Sequence, residues 1–139
     1  IDIPRFPEWD KEGTFDLEEW VLVQHDIVEV KRIMWDYVGI VRSDLRLQRA
    51  YNRIMLLAEE VHNAYRRSTI TSELVVLRNL ATIAQLIIRS AMTRKDSIGL
   101  HFNVNHPDTD EDPFNVIIHS EEPARLARLD HRDFTWDGK

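Results

Sequence analysis

Glu59 and His62 stand three residues apart. Di-iron helical bundles use that Glu-x-x-His spacing because both side chains then leave one helix face. Such a centre also needs a second Glu-x-x-His and further glutamates, and no second copy occurs here. Both residues flank an apolar stripe on its polar side, so a solvated carboxylate and imidazole is the simpler reading. Asp108, Asp110 and Asp112 open like a calcium loop, but the sixth position is Pro113 instead of Gly and the twelfth is His119 instead of Glu. With no cysteine in the chain, zinc would require three of His25, His101, His106, His119 and His131 to converge with a carboxylate. The lack of cysteine also excludes a thiolate nucleophile and a disulfide framework. No serine sits in a G-x-S-x-G elbow. Gly13, Gly39, Gly99 and Gly138 are each isolated. A phosphate cradle needs clustered glycines so that backbone can approach the anion, so the chain carries no FAD or NAD signature of its own. These residues imply no catalytic, cofactor-binding or metal site.

The elements that would position them are helical. Residues 1–15 form a leader with Pro4, Pro7 and Gly13. Residues 16–99 carry three helical patterns, and 100–139 form an irregular tail. The first helix is expected from Asp16, with Glu19 completing a capping box, to Val41, about 39 Å at 1.5 Å per residue. Trp20, Ile27, Met34 and Val41 recur every seven residues, and Val23, Val30 and Tyr37 form a second row. Gly39 weakens the last turn. The second helix follows Ser43 as N-cap. Its stripe is Leu47, Ala50, Tyr51, Ile54, Leu57, Ala58, Val61, Ala64 and Tyr65, with Arg46, Arg49, Arg53, Glu59, Glu60 and Arg66 on the other faces.

The third helix follows Thr71 and Ser72, with Leu74, Leu77, Ala81, Ala84, Ile88 and Ala91 as one stripe. Val75, Val76, Leu80, Ile83, Leu86 and Ile87 widen it beyond what a free three-helix bundle needs, which implies a covering domain or subunit. Short connections predict an all-α, up-down-up three-helix bundle. In the tail, His101–Val104 and Phe114–His119 alternate weakly and read as a short hairpin or extended arms. Glu121–Leu129 reads as one short helix.

Charge is uneven. Residues 42–95 hold ten Lys/Arg against four Asp/Glu, a net of +6, while the chain as a whole is −6. The overall acidity argues against nucleic acid and leaves a docking surface or solvated helix faces. Trp20, Trp35, Tyr37, Tyr51 and Tyr65 fall on or beside the seams, which assigns them to packing instead of base stacking. No uninterrupted apolar run approaches the roughly 18 residues of a membrane span, and no signal peptide is visible. A reducing cytoplasm is the simpler compartment. The opening inside a Pro-rich segment, without Met, reads as a piece cut at a linker.

Two strings go further. LVQHDIVEVKRIMWDYVGIVRSDLRLQRA (22–50), with MWDYVGIVR (34–42) as its most diagnostic part, resembles the helical C-terminal domain of L-aspartate oxidases. ELVVLRNLATIAQLIIRSAMTRKDSIGLHF (73–102) is similar to the same domain's last long helix and exit. There the wider family, which includes succinate dehydrogenase and fumarate reductase flavoproteins, carries R-x-E-S-R-G-x-H and an aromatic. The resemblance covers about 7–107. It departs at Ile98, where the family has Arg, and at Asn105 and His106, where Asp and an aromatic precede Pro.

The resemblance implies a parent enzyme that oxidises L-aspartate to iminoaspartate on FAD, passes electrons to oxygen or fumarate, and feeds quinolinate synthase and NAD biosynthesis. The family's flavin fingerprint and dicarboxylate-binding residues lie upstream and none maps onto this chain, so the fragment is expected to be inactive and without cofactor. Its implied role is to pack on the FAD-binding domain and set its position against the capping domain. Arg89, Arg94, Ser97 and His101 are the candidate contacts. The competing readings are a succinate dehydrogenase or fumarate reductase flavoprotein tail, a stand-alone helical interaction module, and a metal-binding bundle.

Overall fold

The computed structural model describes residues 5, 7, 8, 12–14, 20–111, 114–118 and 125–128. The elements run α1 (Trp20–Val38), β1 (Val41–Arg42), α2 (Asp44–Arg67), α3 (Ser72–Thr93), β2 (Phe102–Asn103), β3 (Phe114–Ile117) and β4 (Arg125–Arg128). All three helices pack on one another. β1, which follows α1, pairs in parallel with β2, which follows α3. Therefore α1 and α3 finish at the same end of the bundle, and the topology is up-down-up.

Caps set the boundaries. Ser43 accepts from the Arg46 N–H and opens α2; Thr71 accepts from the Leu74 N–H and opens α3. The expected end of the first helix at Val41 is corrected to Val38. A Cβ on Gly39 would stand 3.2 Å from the Trp35 carbonyl oxygen, a tight contact that glycine avoids where the chain leaves the helix. Val41 is then an exposed strand residue instead of the last member of the seam. The expected start at Asp16 and its pairing with Glu19 lie outside the described residues.

The core follows the stripes. Leu47, Ala50, Ile54, Leu57 and Val61 are buried on α2, and Leu74, Leu77, Ala81, Ala84, Ile88 and Ala91 on α3. On α1 the buried residues are Val23, Val30, Ile33 and Val38, with Ile27, Met34 and Tyr37 half-buried against them. Trp35 departs from the packing expectation: it is 84% exposed, one position beyond Met34 and so turned off the seam. By length and composition α3 could cross a membrane. Its buried stripe faces α1 and α2, while Val76, Ile83, Leu86 and Ile87 stay exposed.

The tail also differs from expectation. Phe102–Asn103 extends the bundle by joining β1, and Phe114–Ile117 pairs antiparallel with Arg125–Arg128. The short helix expected over 121–129 is thus replaced, where described, by a strand. The pairing places Val116 opposite Leu126.

A candidate docking site at the end of the bundle

The segment from Arg94 to Thr109 folds back over the end of the bundle. Ser97 is its internal fastening. Its Oγ accepts from the Asn103 N–H (3.0 Å) and donates to the His106 carbonyl (2.7 Å). Its backbone N–H donates to the Asp108 carbonyl (2.8 Å), and its carbonyl accepts from Thr109 Oγ1 (2.6 Å). Ser97 is buried, so it shapes the loop and has no free surface to offer. Gly99 supplies the reversal with φ +57, a left-handed value that side chains resist. It allows Ile98 and His101 to exchange backbone hydrogen bonds of 2.9 and 3.0 Å.

Asp44, in the first turn of α2, clamps this loop to the bundle. Its Oδ1 accepts from Asn103 Nδ2 (2.8 Å), and its Oδ2 lies 3.0 Å from His106 Nε2 and 3.3 Å from Lys95 Nζ. Its N–H donates to Asn105 Oδ1 (3.0 Å). Asn103 is fully buried. Its hydrogen bond, above all, holds the Asp44 carboxyl below the usual carboxylate range; His106 and Lys95 add to this, and partial burial opposes it. Asn105 and His106, two of the three positions where the resemblance departs, both belong to this clamp.

Beside the clamp lies a pocket of about 280 Å³, lined by Arg42, Leu86, Ile87, Ser90, Ala91, Arg94 and His101. Arg42 Nε donates to the Val38 and Gly39 carbonyls (3.2 and 2.8 Å), capping the end of α1. Its Nη1 lies 2.6 Å from His101 Nδ1. A guanidinium can only donate, so Nδ1 accepts and the imidazole proton sits on Nε2. That Nε2 is buried and has no partner among the described residues. Burial, then the charges of Arg42 and Arg94, push the His101 pKa down, with Asp96 opposing. Burial lowers that of Arg42 too. Arg94 is held by two bonds to Asp96, Nε–Oδ1 at 3.0 Å and Nη2–Oδ2 at 2.7 Å.

Of the four residues expected to make contacts, the pocket therefore gathers Arg94 and His101. Ser97 lies inside the loop. Arg89 is half-buried on α3 outside the pocket lining. Arg42 and Asp44 were missed. The sole sequence signal for Arg42 was its place at the end of the MWDYVGIVR string.

The metal readings gain nothing from the geometry. Glu59 and His62 are exposed on α2. His101 and His106 bond to different partners, Arg42 and Asp44. His119, His131 and Asp112 lie outside the described residues. His25, Asp26 and Glu29 place ligand atoms within 4.8 Å of one another, but these are contacts of 3.6 and 3.8 Å from His25 to its neighbours on one helix, with His25 itself exposed. Two of the aromatic rings serve as platforms for arginine, Arg53 over Tyr37 and Arg78 over Tyr65.

The family model described as the fumarate reductase flavoprotein C-terminal domain matches residues 28–136. The chain belongs to that family. Within this flavoprotein family, L-aspartate oxidase of Pseudomonas aeruginosa is 48% identical over 102 residues, 73% of this chain and 19% of that protein. L-aspartate oxidase of Yersinia pestis is 44% identical over 115 residues, 83% of this chain and 22% of that protein. The chain thus spans about a fifth of the length of the curated relatives it matches. A solved structure, Mycobacterium smegmatis Sdh1 in complex with UQ1, superposes with a TM-score of 0.56 at 18% identity, over 77% of this chain and 20% of that one. That likeness shows a shared fold.

The described residues do not fit the flavin that the family name implies. The N-termini of α2 and α3 are closed by Ser43 and Thr71 and carry Asp44 and Glu73 in their first turns, where a phosphate would meet like charge. Gly39 and Gly99 are isolated, and no glycine-rich backbone cradle faces either terminus.

Proposed function

We propose that this chain is the C-terminal helical domain of an FAD-dependent L-aspartate oxidase and acts in that enzyme as an architectural element. The parent oxidises L-aspartate to iminoaspartate in the cytoplasm and supplies quinolinate synthase on the way to NAD. The names of the relatives and their high identity to this chain favour this over a succinate dehydrogenase or fumarate reductase tail. No step of the oxidation is assigned to these residues. Their role is to pack on the FAD-binding domain and fix it against the capping domain.

The observation that carries this role is the second apolar row of α3. Ile83, Leu86 and Ile87 are exposed beside Trp35. An open groove of about 440 Å³ runs between Trp35 and the pair Ile83 and Ile87, lined also by Val30, Met34 and Leu80. A contiguous apolar patch of this kind marks an interaction surface. The stripe that faces the bundle is already satisfied, so the excess is the part another domain covers.

Ile83→Asp tests the reading. Ile83 is 53% exposed, so in the 139-residue chain the change should stay within about 0.5 kcal/mol. In the full-length flavoprotein it buries a carboxylate in an interface and should lower the temperature of flavin release by several degrees. Equal flavin release in the two full-length proteins would overturn the placement.

A further inference from the structure

We propose that the Arg42–Arg94–His101 pocket receives the carboxylate of an aspartate or glutamate from the remaining polypeptide of the flavoprotein. This rests on the docking role above and names the chemistry of its charged end.

Three observations converge. First, Arg42 is a half-buried guanidinium whose bonds go to two carbonyls and an imidazole nitrogen. No carboxylate lies within ion-pairing distance of it among the described residues, whereas Arg94 is already neutralised by Asp96. Among the described residues the Arg42 charge therefore has no counter-ion, and a half-buried charge in that state is costly. Second, His101 is 9% exposed and its Nε2–H has no partner. A buried donor left unmade costs about 1–3 kcal/mol. Third, Leu86, Ile87 and Ala91 form aliphatic walls, suited to the methylenes behind a carboxylate. The volume fits a side chain and is too small for a dinucleotide.

The source of the carboxylate follows from position. Ile87 lines both this pocket and the apolar groove, so whatever covers the groove also reaches the pocket. The relatives' length supplies the candidate, since about four-fifths of each lies outside the part matched here. One carboxylate would balance the charge of Arg42, accept from it, and bring the fixed Nε2–H of His101 a partner. Charge-assisted bonds in such a water-poor site are short and strong.

The test is zero-length cross-linking in the full-length flavoprotein. Arg42→Lys and, separately, Arg94→Lys each place an amine in the pocket. A water-soluble carbodiimide activates a touching carboxylate, the amine displaces the activating group, and an amide forms with release of a urea. Peptide mass spectrometry should find position 42 or 94 joined to an Asp or Glu outside residues 1–139, a product absent from the unsubstituted protein because guanidinium does not couple. If both introduced amines couple only to Asp96 or to nothing, the proposal fails. The Ile83→Asp control separates the two failures: a lowered temperature of flavin release with no cross-link sinks the carboxylate alone, and an unchanged temperature of flavin release sinks the docking reading with it.

Discussion

Replacing Asp44 by Ala should loosen the whole end of the bundle. The largest loss is the acceptor for Asn103 Nδ2, which is fully buried and bonded at 2.8 Å. A stranded buried donor costs about 1–3 kcal/mol. Loss of an acid from the first turn of α2 adds about 0.3–1 kcal/mol. The Lys95 contact is between side chains 55% and 43% exposed, and a pair that open to solvent contributes about 0–1 kcal/mol. Asp44→Ala should therefore cost about 2–3 kcal/mol, and Lys95→Ala well under half of that. Asp44→Asn keeps an acceptor for Asn103 and should fall between them. Urea unfolding of the 139-residue chain, followed by circular dichroism, would show the Ala variant's midpoint lowered by about 1 M or more at the usual slopes.

The pH dependence gives a second handle on the same residue. Its folded pKa is depressed, so its contribution is fully present above the unfolded value of about 3.9 and is lost as pH falls through the lower folded value. Wild type and Asp44→Asn should differ by a constant amount from pH 8 to 5 and converge in acid. An Asp44→Ala variant no weaker than Lys95→Ala, or a difference that grows in acid, would refute the clamp.

His101 behaves in the same direction at higher pH. Its folded pKa lies below the ordinary 6.5, so its stability contribution is complete above that value and declines as pH falls through the depressed one; an NMR titration should place its imidazole at the acid end of the chain's histidines. Ile54→Ala empties a fully buried site between the helices and should cost about 2–5 kcal/mol, against about 0.5 kcal/mol or less for exposed Leu56→Ala. Gly99→Ala meets no atom within 4 Å but must hold φ +57, and should cost about 1–2 kcal/mol, with Asn tolerated better. Thermal melts of the chain would rank these variants.

The helices were legible because their signals are local. The buried stripe of α3 matches its 3-4-3 spacing residue for residue, and Ser43 and Thr71 sit where a cap must sit. The end of α1 was less so: the heptad rows carry on through Val41, and the close approach of Gly39 to the Trp35 carbonyl is invisible to a periodicity. Trp35 shows the same limit, since a seven-residue repeat places it near a seam without saying on which side. The clamp and the pocket lay beyond reach for another reason. They join Arg42 and Asp44 to residues about sixty positions later through polar contacts, and β1 and β2 are two residues each, too short to alternate. Arg94 and His101 were reached through family likeness. Ser97 was drawn in by the same likeness, although its bonds all turn inward.

The parallel pairing of Val41–Arg42 with Phe102–Asn103 is flanked by the backbone bonds Phe102 N–H to the Ile40 carbonyl at 3.2 Å and Val104 N–H to the Arg42 carbonyl at 3.0 Å. It is a latch drawn across both later helices. Closing so long a ring carries an entropic toll before any reward arrives, so the hairpin of α2 and α3 assembles first and the latch shuts last. What shuts last also opens first under native conditions. The amides of Phe102 and Val104 should therefore exchange with solvent by local unlatching, ahead of the helical interior, which amide hydrogen exchange would check. A neighbour that grips His101 would hold the latch shut, and slower exchange at those two amides would report the assembled enzyme.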